Sequence, residues 1–126
     1  RDVRILIVDD DPRIVETVQI FLEGANPRFL ARGVTSGFDA GRMISSFDPS
    51  VLVLDLCMEG VDGFSICRQV RGDPLTCHIH IIAVTAYPSA ENVARVVDAG
   101  ADVCLAKPFD YGVLAAQIAR LTGLAT

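Results

Sequence analysis

The amino-acid sequence predicts an α/β fold, a doubly wound parallel sheet covered by helices on both faces. Two observations predict it. Strand-length apolar runs alternate with helix-length periodic segments five times along the chain, the pattern that right-handed crossovers turn into a parallel sheet. Two of those runs, Ile5–Val8 and Val51–Leu54, are apolar at every position, as strands buried on both faces are.

The elements follow in order. Ile5–Val8 is the first strand. Pro12 to Glu23 carries Ile14, Val15, Val18, Phe21 and Leu22 at helical spacing, and Gly24 is expected to stop it. Phe29 to Val34 reads as a second, weaker strand. Gly37 to Phe47 is a helix with Ala40, Met43, Ile44 and Phe47 on one face. Val51–Leu54 is the third strand, Glu59–Gly63 a loop and Phe64–Arg71 a helix. Ile79–Val84 is the fourth strand. Ser89–Ala99 is a helix ended by Gly100, a residue suited to a left-handed cap. Val103–Ala106 is a short fifth strand, and Asp110 starts a last helix to about Leu121.

The 126 residues suit one domain, spanning 1–126. The chain does not begin with Met, so it is expected to be excised from a longer protein. Hydrophobic residues make up 51% and charged residues 21%, a globular balance and not a disordered one. The net charge of −5 repels phosphate backbones and argues against direct nucleic-acid binding. No apolar run approaches the roughly 18 residues of a membrane span, and no export signal is visible. A cytoplasmic location is expected, with Cys57, Cys67, Cys77 and Cys104 as free thiols. Cys67 and Cys104 fall in helix and strand patterns and are expected in the core. None are spaced C-x-x-C, which argues against zinc.

In doubly wound sheets ligands lie beyond the carboxyl ends of the strands. The first strand ends in Asp9-Asp10-Asp11, the third in Asp55, the fourth in Thr85-Ala86 and the fifth in Lys107-Pro108. Singly, each has a bland reading as a cap or a solvated charge. Together they place reactive groups at four ends of one sheet. Converging carboxylates repel one another, and a hard cation with oxygen ligands offsets that repulsion. Asp9, Asp10 and Asp55 therefore suit one magnesium ion. Asp11 precedes Pro12, a cap followed by proline at the first helical position, so its role is to start the helix.

The set Val8-Asp9-Asp10-Asp11, Leu54-Asp55-Leu56, Asp62-Gly63, Val84-Thr85-Ala86, Gly100-Ala101-Asp102 and Lys107-Pro108-Phe109 resembles the receiver domain of two-component response regulators along essentially the whole chain. The resemblance implies a flavodoxin-like sheet of order 2-1-3-4-5, which sets the first and third strands side by side. It implies that Asp55 is a phosphoacceptor, and that Asp10, Asp55 and the Cys57 backbone carbonyl hold Mg2+ or Mn2+. Asp9 then acts through a metal-bound water, and Thr85 and Lys107 contact phosphoryl oxygens. It further implies a sensor histidine kinase or histidine phosphotransfer protein as donor, and an output domain or target reached through the face of helix 4, strand 5 and helix 5. The chemistry is self-catalysed phosphotransfer with slow autodephosphorylation, so the domain is not an enzyme in the turnover sense. The bond between Lys107 and Pro108 is typically cis in the family.

The sequence departs from that pattern in places. Cys104 stands where the family usually has a switch aromatic, so the aromatic half of the switch is expected to be absent or displaced, with Tyr87 as one candidate substitute. Glu59 replaces a common proline and reads as a solvated loop acid. Cys57 and Tyr87 occupy positions that tune phosphoryl lifetime, and neither activates water readily. Val103 replaces the second acid of the DNA-binding branch that dimerises, which weakens but does not remove the expectation of a homodimer. His78 and His80 form an H-x-H that would share a strand face, and His80 is expected to pack at the entry to the fourth strand.

Two rival functions are weighed against this reading. A haloacid-dehalogenase-type phosphohydrolase needs a second Asp two residues after the nucleophile, where this chain has Cys57. A degenerate receiver working as a phosphorylation-independent interaction module usually loses an acid, the Thr or the Lys, and this chain keeps all of them.

Overall fold

A computed structural model describes residues 2–124; Arg1, Ala125 and Thr126, which the expected bounds of 1–126 include, lie outside them. Five strands, β1 (Val3–Val8), β2 (Phe29–Val34), β3 (Val51–Asp55), β4 (His80–Thr85) and β5 (Val103–Ala106), form one parallel sheet of order β2-β1-β3-β4-β5. The helices are α1 (Pro12–Ala25), α2 (Gly37–Phe47), α3 (Gly63–Gly72), α4 (Ala90–Ala99) and α5 (Tyr111–Leu121).

Two cores lie on opposite sides of the sheet. Alternate strand residues Ile5, Ile7, Val51, Val53, Ile82 and Val84 pack against Val15, Val18, Leu22, Leu114 and Ile118 of α1 and α5. The intervening residues Leu6, Val8, Leu52, Leu54, Ile81 and Ala83 pack with Ala40, Cys67, Val70 and Val96 of α2, α3 and α4. A strand that buries both faces carries no polar alternation, which is why β1 and β3 read as unbroken apolar runs.

Caps place the helix starts. Asp11 accepts from the Arg13 N–H, Ser36 from Asp39, Asp62 from Phe64 and Ser65, Ser89 from Asn92, and Asp110 from Gly112 and Val113. Each satisfies donors that a first helical turn leaves orphaned. Gly100 ends α4 at φ 117, as its position in the sequence suggests.

Several boundaries differ from the sequence reading. Gly24 does not stop α1, which runs through Ala25 to a cap at Asn26 with φ −152. The breaker is Pro27, because the residue before a proline is pushed out of the helical region. Strand β4 starts at His80 and includes Thr85. His78 lies in the preceding turn, so the two histidines share no strand face. His78 Nε2 is 3.7 Å from Asp48 and His80 Nδ1 is 4.0 Å from Asp102. Cys67 is fully buried, but Cys104 is only half-buried against the α2–α4 side core. Strand β5 is at the sheet edge with four residues, too short and too marginal to bury that side chain. No described helix is long and apolar enough to cross a membrane.

Candidate functional site

The register brings the strand ends level. Val8 pairs with Leu54, Asp55 with Val84 and Thr85 with Ala106. Asp9, Asp55, Thr85 and Lys107 therefore stand in a row at the carboxyl edge of the sheet. Side-chain alternation does the rest. Asp9 continues the Ile5, Ile7 face and Asp55 the Val51, Val53 face, and both carboxylates line a small cavity with Ile14, Val84 and Phe109. Gly63 allows α3 to start close by, since a Cβ there would lie 2.8 Å from Leu56 Cδ2 and 3.1 Å from Leu56 Cα. That explains the Asp62-Gly63 pair physically: one residue caps α3, and the other lets it pack against the chain leaving Asp55.

Asp9 and Asp55 are 4% and 3% exposed, and Thr85 2%. Charges so deeply placed require partners. Lys107 supplies one for both: its Nζ donates to Asp9 Oδ2 at 3.1 Å and to Asp55 Oδ2 at 3.0 Å. The second oxygens accept backbone N–H groups, Asp9 Oδ1 from Asp11 and Asp55 Oδ1 from Cys57, each at 2.9 Å. Asp10 is exposed, and its Oδ2 accepts from the Glu59 N–H at 3.4 Å. Oxygens of Asp9, Asp10 and Asp55 lie within 4.8 Å of one another. The bond between Lys107 and Pro108 is cis.

Burial raises the Asp9 pKa above the ordinary carboxylate value, and the neighbouring Asp55 adds to this. The Asp11 N–H and Lys107 pull it back without cancelling the rise. For Lys107, burial works against the ammonium, but the hydrogen bonds and charges of Asp55 and Asp9 outweigh it and leave its pKa raised. The site thus sets one ammonium against a cluster of three carboxyl groups. An all-oxygen donor set of that composition fits a hard divalent cation.

The strand-end residues read as the site from the sequence, Asp9, Asp10, Asp55, Thr85 and Lys107, converge here. Thr85 does so indirectly: its Oγ1 accepts from the Tyr87 N–H at 3.0 Å and lies 3.9 Å from Cys57 Sγ. Tyr87 itself is 69% exposed. Glu59 is exposed, as expected of a loop acid, yet its backbone reaches Asp10. Sequence reasoning missed that backbone contact and missed Asn92, whose Nδ2 donates to the Tyr87 carbonyl at 2.9 Å. A polar residue three positions after the Ser89 cap was the only signal available. Asp102, read in connection with the output face, is tied into the scaffold: its Oδ2 accepts from the Ile81 N–H and from Arg71, which also donates to the Gly100 carbonyl.

Comparison with known proteins agrees with this geometry. The response regulator receiver domain family matches residues 5–119. The DNA-binding dual master transcriptional regulator RpaA of Synechocystis is 35% identical over 94% of this chain and 48% of its own length. Response regulator MprA of Mycobacterium tuberculosis is 38% identical over 94% of this chain and 50% of its own. The chain spans about half the length of these two relatives. Among solved structures, the signal receiver domain of a DNA binding response regulator protein from Colwellia psychrerythraea superposes with a TM-score of 0.92 at 37% identity, covering 97% of this chain and 99% of that one. The chain belongs to the response regulator receiver domain family.

Proposed function

We propose that this domain is a phosphoacceptor switch in a two-component phosphorelay, with Asp55 as the acceptor. The observation that carries the reading is the Lys107 ammonium bridging two buried carboxylates at the strand ends. Asp55 Oδ attacks phosphorus, the donor's P–N bond breaks, and its electron pair stays on the imidazole nitrogen of a histidine kinase or phosphotransfer protein. Lys107 neutralises the transferred oxygens and Thr85 donates a hydrogen bond to them, so the chain contributes positioning and charge. Asp9, Asp10 and Asp55, with the Cys57 carbonyl, would hold Mg2+ at this acidic cluster. The ion, when bound, neutralises charge on the acceptor and the phosphoryl group.

The domain turns over no substrate of its own. Neither Cys57 nor Tyr87 is a base suited to activating water, so self-dephosphorylation takes minutes or longer. An apolar groove of about 650 Å³, lined by Ile14, Phe21, Pro108, Phe109 and Tyr111 and bordered by Lys107, offers the donor a docking surface. The output leaves through α4, β5 and α5, in the cytoplasm.

The test is incubation with acetyl phosphate and Mg2+, read by intact mass. Wild type gains one phosphoryl group, and Asp55→Asn or EDTA abolishes the gain. An unmodified wild type under these conditions would favour the phosphorylation-independent module instead.

A further inference from the structure

Between Thr85 and the Ser89 cap of α4, the residues Ala86, Tyr87 and Pro88 are all exposed. Packing cannot fix this loop, so hydrogen bonds must. The Tyr87 peptide carries them on both sides. Its N–H donates to Thr85 Oγ1 at 3.0 Å. Its carbonyl accepts from Asn92 Nδ2 at 2.9 Å and from the Ser89 N–H at 2.9 Å. Asn92 is itself fixed, because its own N–H donates to Ser89 Oγ at 3.1 Å.

The consequence lies in the chemistry of a hydroxyl, which has one proton and two acceptor lone pairs. With the Tyr87 N–H on one lone pair, the Thr85 proton is confined to the remaining directions. Cys57 Sγ, 3.9 Å away, marks the side that borders Asp55. The Tyr87 peptide thus holds Thr85 as a donor aimed into the site, and Asn92 holds the peptide.

We propose that Asn92, on the first turn of α4, is a positioning residue for Thr85, acting through the Tyr87 peptide. This rests on the phosphoacceptor reading above. It also gives the site a mechanical connection to α4 that does not need an aromatic side chain on β5, where this chain has Cys104. Any movement of the Thr85 hydroxyl toward a phosphoryl oxygen pulls on the Tyr87 peptide and so on the start of α4.

The variant that tests this is Asn92→Ala. Alanine keeps the backbone N–H that Ser89 caps and is the better helix former, so α4 is retained. Loss of one positioning hydrogen bond predicts a fall of about three- to tenfold in the rate of phosphorylation by acetyl phosphate with Mg2+. It also predicts faster amide exchange at Tyr87. The deciding comparison is made in a Thr85→Ala background, where Asn92→Ala should add no further slowing, because a residue that acts through Thr85 has nothing left to position. Equal slowing in both backgrounds, or a wild-type rate for Asn92→Ala alone, overturns the inference. No phosphorylation of wild type overturns the phosphoacceptor reading instead, and the inference falls with it.

Discussion

Replacing Lys107 by methionine keeps an unbranched side chain one atom shorter and removes its charge, which probes the electrostatics of the site. Each Lys107–carboxylate contact, at 3.0 and 3.1 Å, is worth about 5 kcal/mol of Coulomb energy at an effective dielectric of about 20. Desolvation of the three groups and the mutual repulsion of Asp9 and Asp55 take back most of that sum. Stripping one partner from a fully buried pair costs about 3–5 kcal/mol. Here the lysine side chain is 28% exposed while the side chains of Asp9 and Asp55 are 6% and 3% exposed, so water screens part of the loss. The expected destabilisation of Lys107→Met in EDTA at pH 8 is about 2–3 kcal/mol. In urea unfolding this lowers the midpoint by about 1–2 M. Saturating Mg2+ should shrink the penalty to below about 1 kcal/mol, since a cation bound by the carboxylates replaces the missing charge.

The pH dependence has a definite sign. The Lys107 pKa is raised, so its contribution is complete below the ordinary lysine value and is lost only as pH rises through the folded one. The penalty should therefore be flat from pH 7 to 9. The Asp9 pKa is raised as well, so Asp9 takes up its proton in the folded state before it would in the unfolded chain. The penalty of the mutation should decline as pH falls into the carboxylate range. An equal loss of stability with and without Mg2+, or a loss that grows on acidification, would refute the reasoning.

Two further outcomes test the scaffold that presents the site. Gly33 on β2 has Val15 of α1 directly over it, and an added Cβ would collide with Val15 Cγ1; Val15 is β-branched on a helix and has little rotamer freedom to yield. Gly33→Ala should lower stability by about 1–3 kcal/mol, with Val15→Ala recovering part of it, and additive losses in the double variant would count against the steric account. Burial pushes the Cys67 thiol up to about 11, whereas Cys57 and Cys77 are exposed, so a thiol reagent at pH 8 should label those two in the native protein and reach Cys67 only on unfolding; rapid native labelling of Cys67 would contradict the packing described for α3.

What the sequence by itself determined was whatever follows from local periodicity and chain chemistry. Ile5–Val8 and Val51–Leu54 could only be strands buried on both sides, and Asp11-Pro12, Asp62-Gly63 and Ser89 could announce helix starts because caps act within three residues. The convergence of Asp9, Asp10, Asp55, Thr85 and Lys107 was legible because a parallel sheet with right-handed crossovers sends every strand's carboxyl end to one edge. Tertiary structure decided what depends on distance across the fold. Register put Val8 opposite Leu54, and so Asp9 beside Asp55, and burial turned their shared lysine into a necessary partner. It left His78 in the turn that precedes β4 while His80 opens the strand, and left Cys104 half-covered at the sheet edge. Asp55 is legible as the candidate acceptor only in company with the other strand-end residues. The hold on Thr85 by Tyr87 and Asn92 is not legible, because a backbone carbonyl meeting a side-chain amide five residues on leaves no mark in residue type.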